Sequence, residues 1–195
     1  MGSEMCIRDR VCDVTFSRVD SDACMSTNDA VIAMASGACG ISLTGDELTD
    51  ALTKLCAILA RQLVADAEGS RHDVKVAVTG ATSTEAAVAV AREVTRSNLV
   101  KTAVAGNDPN WGRILAAVGC VREDVAPFDP DQVDVSINGI RVCKAGGIGE
   151  DRNLVDMGPR EVHIDIELHA GHAEAAVWTN DLTRQYVEEN SAYTS

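Results

Sequence analysis

Residues able to do chemistry are crowded into a few short stretches of this 195-residue sequence. The densest is 106–119, GNDPNWGRILAAVG, where Asn107, Asp108, Asn110 and Arg113 stand around Trp111. Asp108 is a good N-cap, Pro109 suits a first helical position and Gly119 suits a stop. The stretch therefore predicts a short helix whose polar groups gather at its N–H-bearing end. Such an end can hold a carboxylate or another anion. Capping explains Asp108 and Pro109, but it leaves the crowding of Asn107, Asn110 and Arg113 open.

A second cluster, His163, Asp165, Glu167, His169 and His172, has the residue types of a metal site. Alternation along 162–168 puts His163, Asp165 and Glu167 on the face opposite Val162, Ile164, Ile166 and Leu168. The simpler reading is a solvated strand face and turn, and no metal is assigned because the spacing matches no ligand pattern. GGIGEDRN (146–153) has no Gly-Lys-Ser/Thr sequence after it and opens no helix, so it reads as a loop. Glu68 falls near a helix C-terminus, where the macrodipole disfavours a carboxylate. On physics alone it is a surface acid. No Ser-His-Asp or Cys-His arrangement can be built from spacing.

The elements around these groups follow from periodicity and capping. The first ten residues, MGSEMCIRDR, show no periodicity and are set aside as a sequencing or cloning scar. Val11 to Phe16 reads as a strand. Ser26, Thr27, Asn28 and Asp29 bond readily to nearby backbone and precede the apolar run 30–35, as a cap opening a helix or strand would. The clearest helix spans 43–69. Thr44 and Glu47 form a capping box, Leu48, Ala51, Leu52, Leu55, Leu59 and Leu63 form an apolar stripe, and Gly69 ends it.

A strand at 74–78 comes next. It is followed by a helix opened by Thr82 and Glu85, with Ala87, Val90, Ala91 and Val94 on one face. LVKTAVAG (99–106) reads as a buried strand. VDVSINGIRVC (133–143) is a hairpin turning at Asn138-Gly139. The strand 162–168 pairs with 173–179 across a tight connection, and Asn180 caps a final helix. The pattern is α/β (α+β), with layered mixed or antiparallel sheets covered by helices.

Composition excludes several classes. A net charge of −13 and a pI near 4.6 do not suit nucleic acid or an anionic membrane as partner. No apolar run approaches the ~20 residues of a membrane span. Seven cysteines without a C-x-x-C pair read as reduced thiols, small core residues of a cytoplasmic protein.

Four motifs together go further. STND (26–29), DAEG (66–69), LVKTAVAGNDPNWGRILAAVG (99–119) and YVEENSAYTS (186–195), in this order, resemble the β chain of the bifunctional ornithine acetyltransferase / glutamate N-acetyltransferase family of arginine biosynthesis. The resemblance covers residues 11 to 195. It implies a self-processing, N-terminal-nucleophile-like fold in which autocatalytic cleavage frees a threonine at the head of the β chain. That threonine, with its own amine as base, takes acetyl from N-acetylornithine and passes it to glutamate. The resemblance leaves open whether acetyl-CoA is a further acetyl donor, and it implies no cofactor. An α-chain Thr-Gly pair stabilises the oxyanion, and two α and two β chains assemble.

Carried over residue by residue, the resemblance puts the family's substrate contacts on Glu68, Asn190 and Ser195. It places the helix end at Asp108–Arg113 at or behind the pocket, or at a subunit contact, as support. It also divides the chain, after the scar at 1–10, into part of the larger catalytic domain (11–70), a second α/β unit (71–189) and a substrate-contacting tail (190–195).

The sequence departs from the family pattern in three respects, one being that the α chain, with its oxyanion pair and a substrate lysine, lies outside it. The Ala-Thr-Met motif carrying the nucleophile is absent and is expected upstream of Met1, so no catalytic residue is assigned within this chain. Ala23 stands where the family has glycine. The chain alone is therefore expected to be inactive and, without its sheet partners, to aggregate. Two alternatives are a related self-processing aminopeptidase-like hydrolase and a non-catalytic binding module.

Overall fold

The structure, a computed structural model, describes residues 2–192, with side chains from residue 7 onward. Its first helix, α1 (Gly2–Val14), occupies positions read as scar and strand. Ile7 and Val11, one helical turn apart, bury against Cys56 with Leu48 and Leu52 beside them, and this helical spacing outweighs the β-branched character of 11–16. Residues 22–47 are all exposed, and the apolar run 30–35 forms no helix or strand. α2 (Gly45–Ala65) opens with the expected reciprocal capping box of Thr44 and Glu47. Its buried residues are Cys56, Ala60 and Val64, whereas Leu55, Leu59 and Leu63 of the expected core stripe are exposed.

β1 (Asp73–Ala81) then leads to α3 (Thr84–Arg96), capped by Ser83 rather than Thr82, with the expected face Ala87, Val90, Ala91 and Val94 buried. The segment expected as a strand at 99–106 is instead α4 (Asn98–Ala105). The Ser97 hydroxyl caps it, and Val100, Ala103 and Val104 bury at helical spacing. α5 (Trp111–Val118) follows at once.

β2 (Asp134–Ile137) and β3 (Ile140–Lys144) make the expected hairpin, with Asn138 and Gly139 at φ +47° and +83° as a two-residue turn of this type requires. β4 (Gly147–Ile148), β5 (Glu161–Glu167), β6 (Ala173–Asn180) and α6 (Arg184–Ala192) complete the order.

The sheet is mixed, in the order β4-β3-β2-β5-β1-β6. β5 and β6 do not pair with each other, contrary to expectation. β1 lies between them, parallel to β5 and antiparallel to β6, with Val76 beside both Ile164 and Val177. All three of these residues are buried. The residues linking β5 to β6 cross the end of β1, where Ala170 and Gly171 N–H groups both donate to the Gly80 carbonyl at 2.7 Å. One continuous core holds Val74, Val76 and Val78 of β1, alternate residues of β5 and the buried face of α3.

Of the six cysteines with described side chains, only Cys56 and Cys143 are buried; Cys24, Cys39 and Cys120 are exposed. The core-residue reading therefore holds for two of them. No described helix is long and apolar enough to cross a membrane.

Candidate functional site

Glu68 lies on the turn that leaves α2, just beyond the helix. The Asp66 N–H closes the helix on the Gln62 carbonyl at 3.0 Å, and Gly69, at φ +64°, reverses the chain toward β1. The turn stands against the start of α6. There the Thr183 hydroxyl, not Asn180, caps the helix: it accepts from the Tyr186 N–H at 3.1 Å and donates to the Gly69 carbonyl at 2.7 Å. A Cβ on Gly69 would fall 2.4 Å from the Tyr186 nitrogen, so the approach requires glycine.

One turn along α6, the Asn190 side-chain amide donates to Glu68 Oε2 and to the Tyr186 carbonyl, both at 2.9 Å. Two of the three expected contacts thus meet. Ser195 lies outside the described residues. Glu68 and Asn190 are both exposed, and half-buried Tyr186 beside them has its phenol pushed above its ordinary range by burial and by the Asp22 and Glu68 carboxylates. Beneath the surface, His72 Nδ1 lies 2.9 Å from Asp181 Oδ2 and both side chains are buried.

Lys101 is also buried, its ammonium donating to Thr179 Oγ1 at 3.2 Å and to the Ser21 carbonyl. Burial pulls its pKa below the lysine range against the opposing pull of Asp20, Asp22 and Asp181. None of His72, Lys101, Asp181 and Thr183 was evident in the sequence. Thr183 alone had a local signal, a hydroxyl three residues before the N–H that it caps.

A carboxylate held by an amide, with acceptor oxygens facing solvent, can receive an ammonium group. Neither side chain of the pair is a hydroxyl or thiol nucleophile. The polar stretch at 106–119 is mainly helix punctuation. Asn107 takes a left-handed conformation (φ +52°) while its N–H bonds the Val104 carbonyl and the Asp108 N–H bonds the Ala103 carbonyl, a double closure of α4. Asn110, not Asp108, caps α5, accepting from the Arg113 N–H at 3.2 Å. Asp108 accepts from the Asn110 amide at 2.9 Å, and Arg113 bonds back to the Leu99 carbonyl at 2.9 Å.

The histidine cluster does not converge. His163 bonds Glu161 at 2.6 Å at one end of β5, whereas His169 faces Asp134 at 3.4 Å beyond the other end. A cavity of about 260 Å³ lined by Arg18, Arg61, Thr84, Glu174 and Trp178 includes neither Glu68 nor Asn190.

A mixed α/β chain with an exposed, amide-held carboxylate at the junction of two helices has close relatives. The ArgJ family model matches residues 5–195, and the chain belongs to that family. It is 54% identical over 182 residues to the arginine biosynthesis bifunctional protein ArgJ of Bifidobacterium longum, covering 93% of this chain and 46% of that protein. It is 55% identical over 181 residues to the protein of the same name from Streptomyces avermitilis, with the same coverage. The chain thus spans about half the length of the curated relatives it matches. The crystal structure of the arginine biosynthesis bifunctional protein argJ from Bacillus halodurans superposes with a TM-score of 0.89 at 32% identity, covering 98% of this chain and 93% of that one.

Proposed function

We propose that the chain supplies the amino-acid-recognition wall of a cytoplasmic acetyltransferase of arginine biosynthesis. The threonine nucleophile would come from the rest of the protein. Its oxygen attacks the acetyl carbonyl of N-acetylornithine, the amine of ornithine departs with a proton, and the glutamate amine then takes the acetyl group from the ester. Acetyl-CoA would serve as an alternative donor to the same ester. Glu68, oriented by Asn190, would receive the ammonium of the ornithine side chain, and Ser195 would close the pocket from the tail. The single observation carrying this reading is the hydrogen bond between Asn190 and Glu68, two residues that the family resemblance selected independently.

The partner would be the remaining length of the protein, an α chain, with two α and two β chains together making a hetero-tetramer. Support comes from apolar surface unusual for a finished molecule. Leu55, Ile58, Leu59 and Leu63 of α2 are exposed, as are Ile32, Met34 and Ile41 in the segment without regular structure. The test is acetyl exchange between N-acetylornithine and glutamate by the chain produced together with the rest of the protein. Glu68→Gln should lower turnover per substrate encounter about a hundredfold. Unchanged exchange would remove Glu68 from the site.

A further inference from the structure

We propose that His72 and Asp181 form a buried latch that sets the distance between Glu68 and Asn190. They are thus positioning residues for amino-acid recognition, an inference that rests on the reading of that pair as the substrate contact.

Two connections leave the site, 69–72 running into β1 and 180–183 running from β6 into α6. Asp181 ties them together. Its Oδ1 accepts from the Arg71 and His72 N–H groups at 2.9 and 3.1 Å, and its Oδ2 faces His72 Nδ1 at 2.9 Å. The other ring nitrogen of His72 faces the Met157 carbonyl at 3.2 Å. The Asp181 side chain is 0% exposed and that of His72 8%, so neither has water to replace a lost partner. α4 brackets both connections: Arg71 reaches the Ala105 carbonyl at 3.0 Å, and the Leu182 N–H bonds the Lys101 carbonyl at 3.2 Å.

Glu68 and Asn190 are themselves exposed and have no such packing. Their separation follows from how the turn at 66–70 sits against the start of α6. The latch fixes that placement, and the Thr183 bond to Gly69 refines it. Removing the His72 ring leaves a buried carboxylate short of a donor, and the connection must part to hydrate it. A displacement of about 1 Å is enough to lose a contact of the Asn190–Glu68 kind.

The test uses the assembled protein, labelled with ¹⁵N at asparagine, and reads the Asn190 side-chain amide directly. In His72→Ala its resonances should move toward solvent-exposed positions and its proton exchange should rise at least about tenfold. Asp181→Asn keeps a carbonyl for the two backbone donors and offers an amide to the imidazole, so it should retain the native signals. In the assembled protein His72→Ala should raise KM for N-acetylornithine about tenfold and leave kcat within about twofold. If the alanine variant does not fold, His72→Gln, which keeps a donor toward Asp181, should show the same displacement at smaller amplitude. Native Asn190 signals in a folded His72 variant would overturn the latch. Displaced signals with unchanged KM would uphold the latch and remove the pair from substrate recognition.

Discussion

The Asn190 amide reaches Glu68 Oε2 at 2.9 Å across 122 positions of sequence. If the two residues act as one recognition element, their substitutions are not additive. Glu68→Gln and Asn190→Ala should each lower kcat/KM for N-acetylornithine in the assembled protein, and the double variant should be no worse than the worse single variant by more than about threefold. A full product of the two losses would mean that each contacts substrate independently.

What the sequence disclosed of this arrangement was local. The capping box of Thr44 with Glu47 and the Asn138-Gly139 turn were both legible, because each is decided within four residues. α4 was not: Val100, Ala103 and Val104 suit a strand as well as a helix, and only the surrounding core selects the helix. The insertion of β1 between β5 and β6 depends on pairing across the whole chain, which alternation within a strand does not encode. α2 carries two apolar stripes, and periodicity does not say which one faces inward. Glu68 and Asn190 were visible only through family resemblance. Their link, and that of His72 with Asp181, joins distant segments and leaves no local mark.

Ala23 gives a stability test. It adopts φ +66°, the left-handed region that a Cβ disfavours, while its N–H bonds Asp20 Oδ1 at 3.1 Å. Ala23→Gly should relieve about 1 kcal/mol of this strain, partly offset by the greater freedom of glycine in the unfolded chain. The midpoint of thermal unfolding should rise by about 1–3 °C. An unchanged or lower midpoint would show that the backbone relaxes at this position.

Asp134 predicts an acid limb. Burial raises its pKa, but the Ala145 N–H at 2.7 Å, His169 and Arg141 outweigh burial and hold the carboxyl below the ordinary aspartate range. With the folded value below the unfolded one, the unfolded chain binds more protons. The contribution is therefore present above the unfolded value and is lost as pH falls through the folded one. Unfolding by urea from about pH 6 to pH 2 should show Asp134→Asn less stable than the parent at the upper end, with the gap closing toward the lower end. A pH-independent gap would assign the loss to packing instead.

The apolar face of α2 separates the needs of the isolated chain from those of the assembly. Leu59 and Leu63 are 43% and 60% exposed, on the side of the helix away from Val64, which is 1% exposed. Changing both leucines to glutamine removes apolar surface from water contact without opening a cavity in the core. The folded chain should therefore keep its thermal midpoint within about 2 °C, while its self-association in light scattering falls. In the assembled protein the same change would place two amides in an apolar interface, where unpaired polar groups cost about 1–3 kcal/mol each. Co-purification with the rest of the protein should then drop sharply. Unimpaired co-purification would show that α2 faces solvent in the complete molecule and that the partner covers another surface.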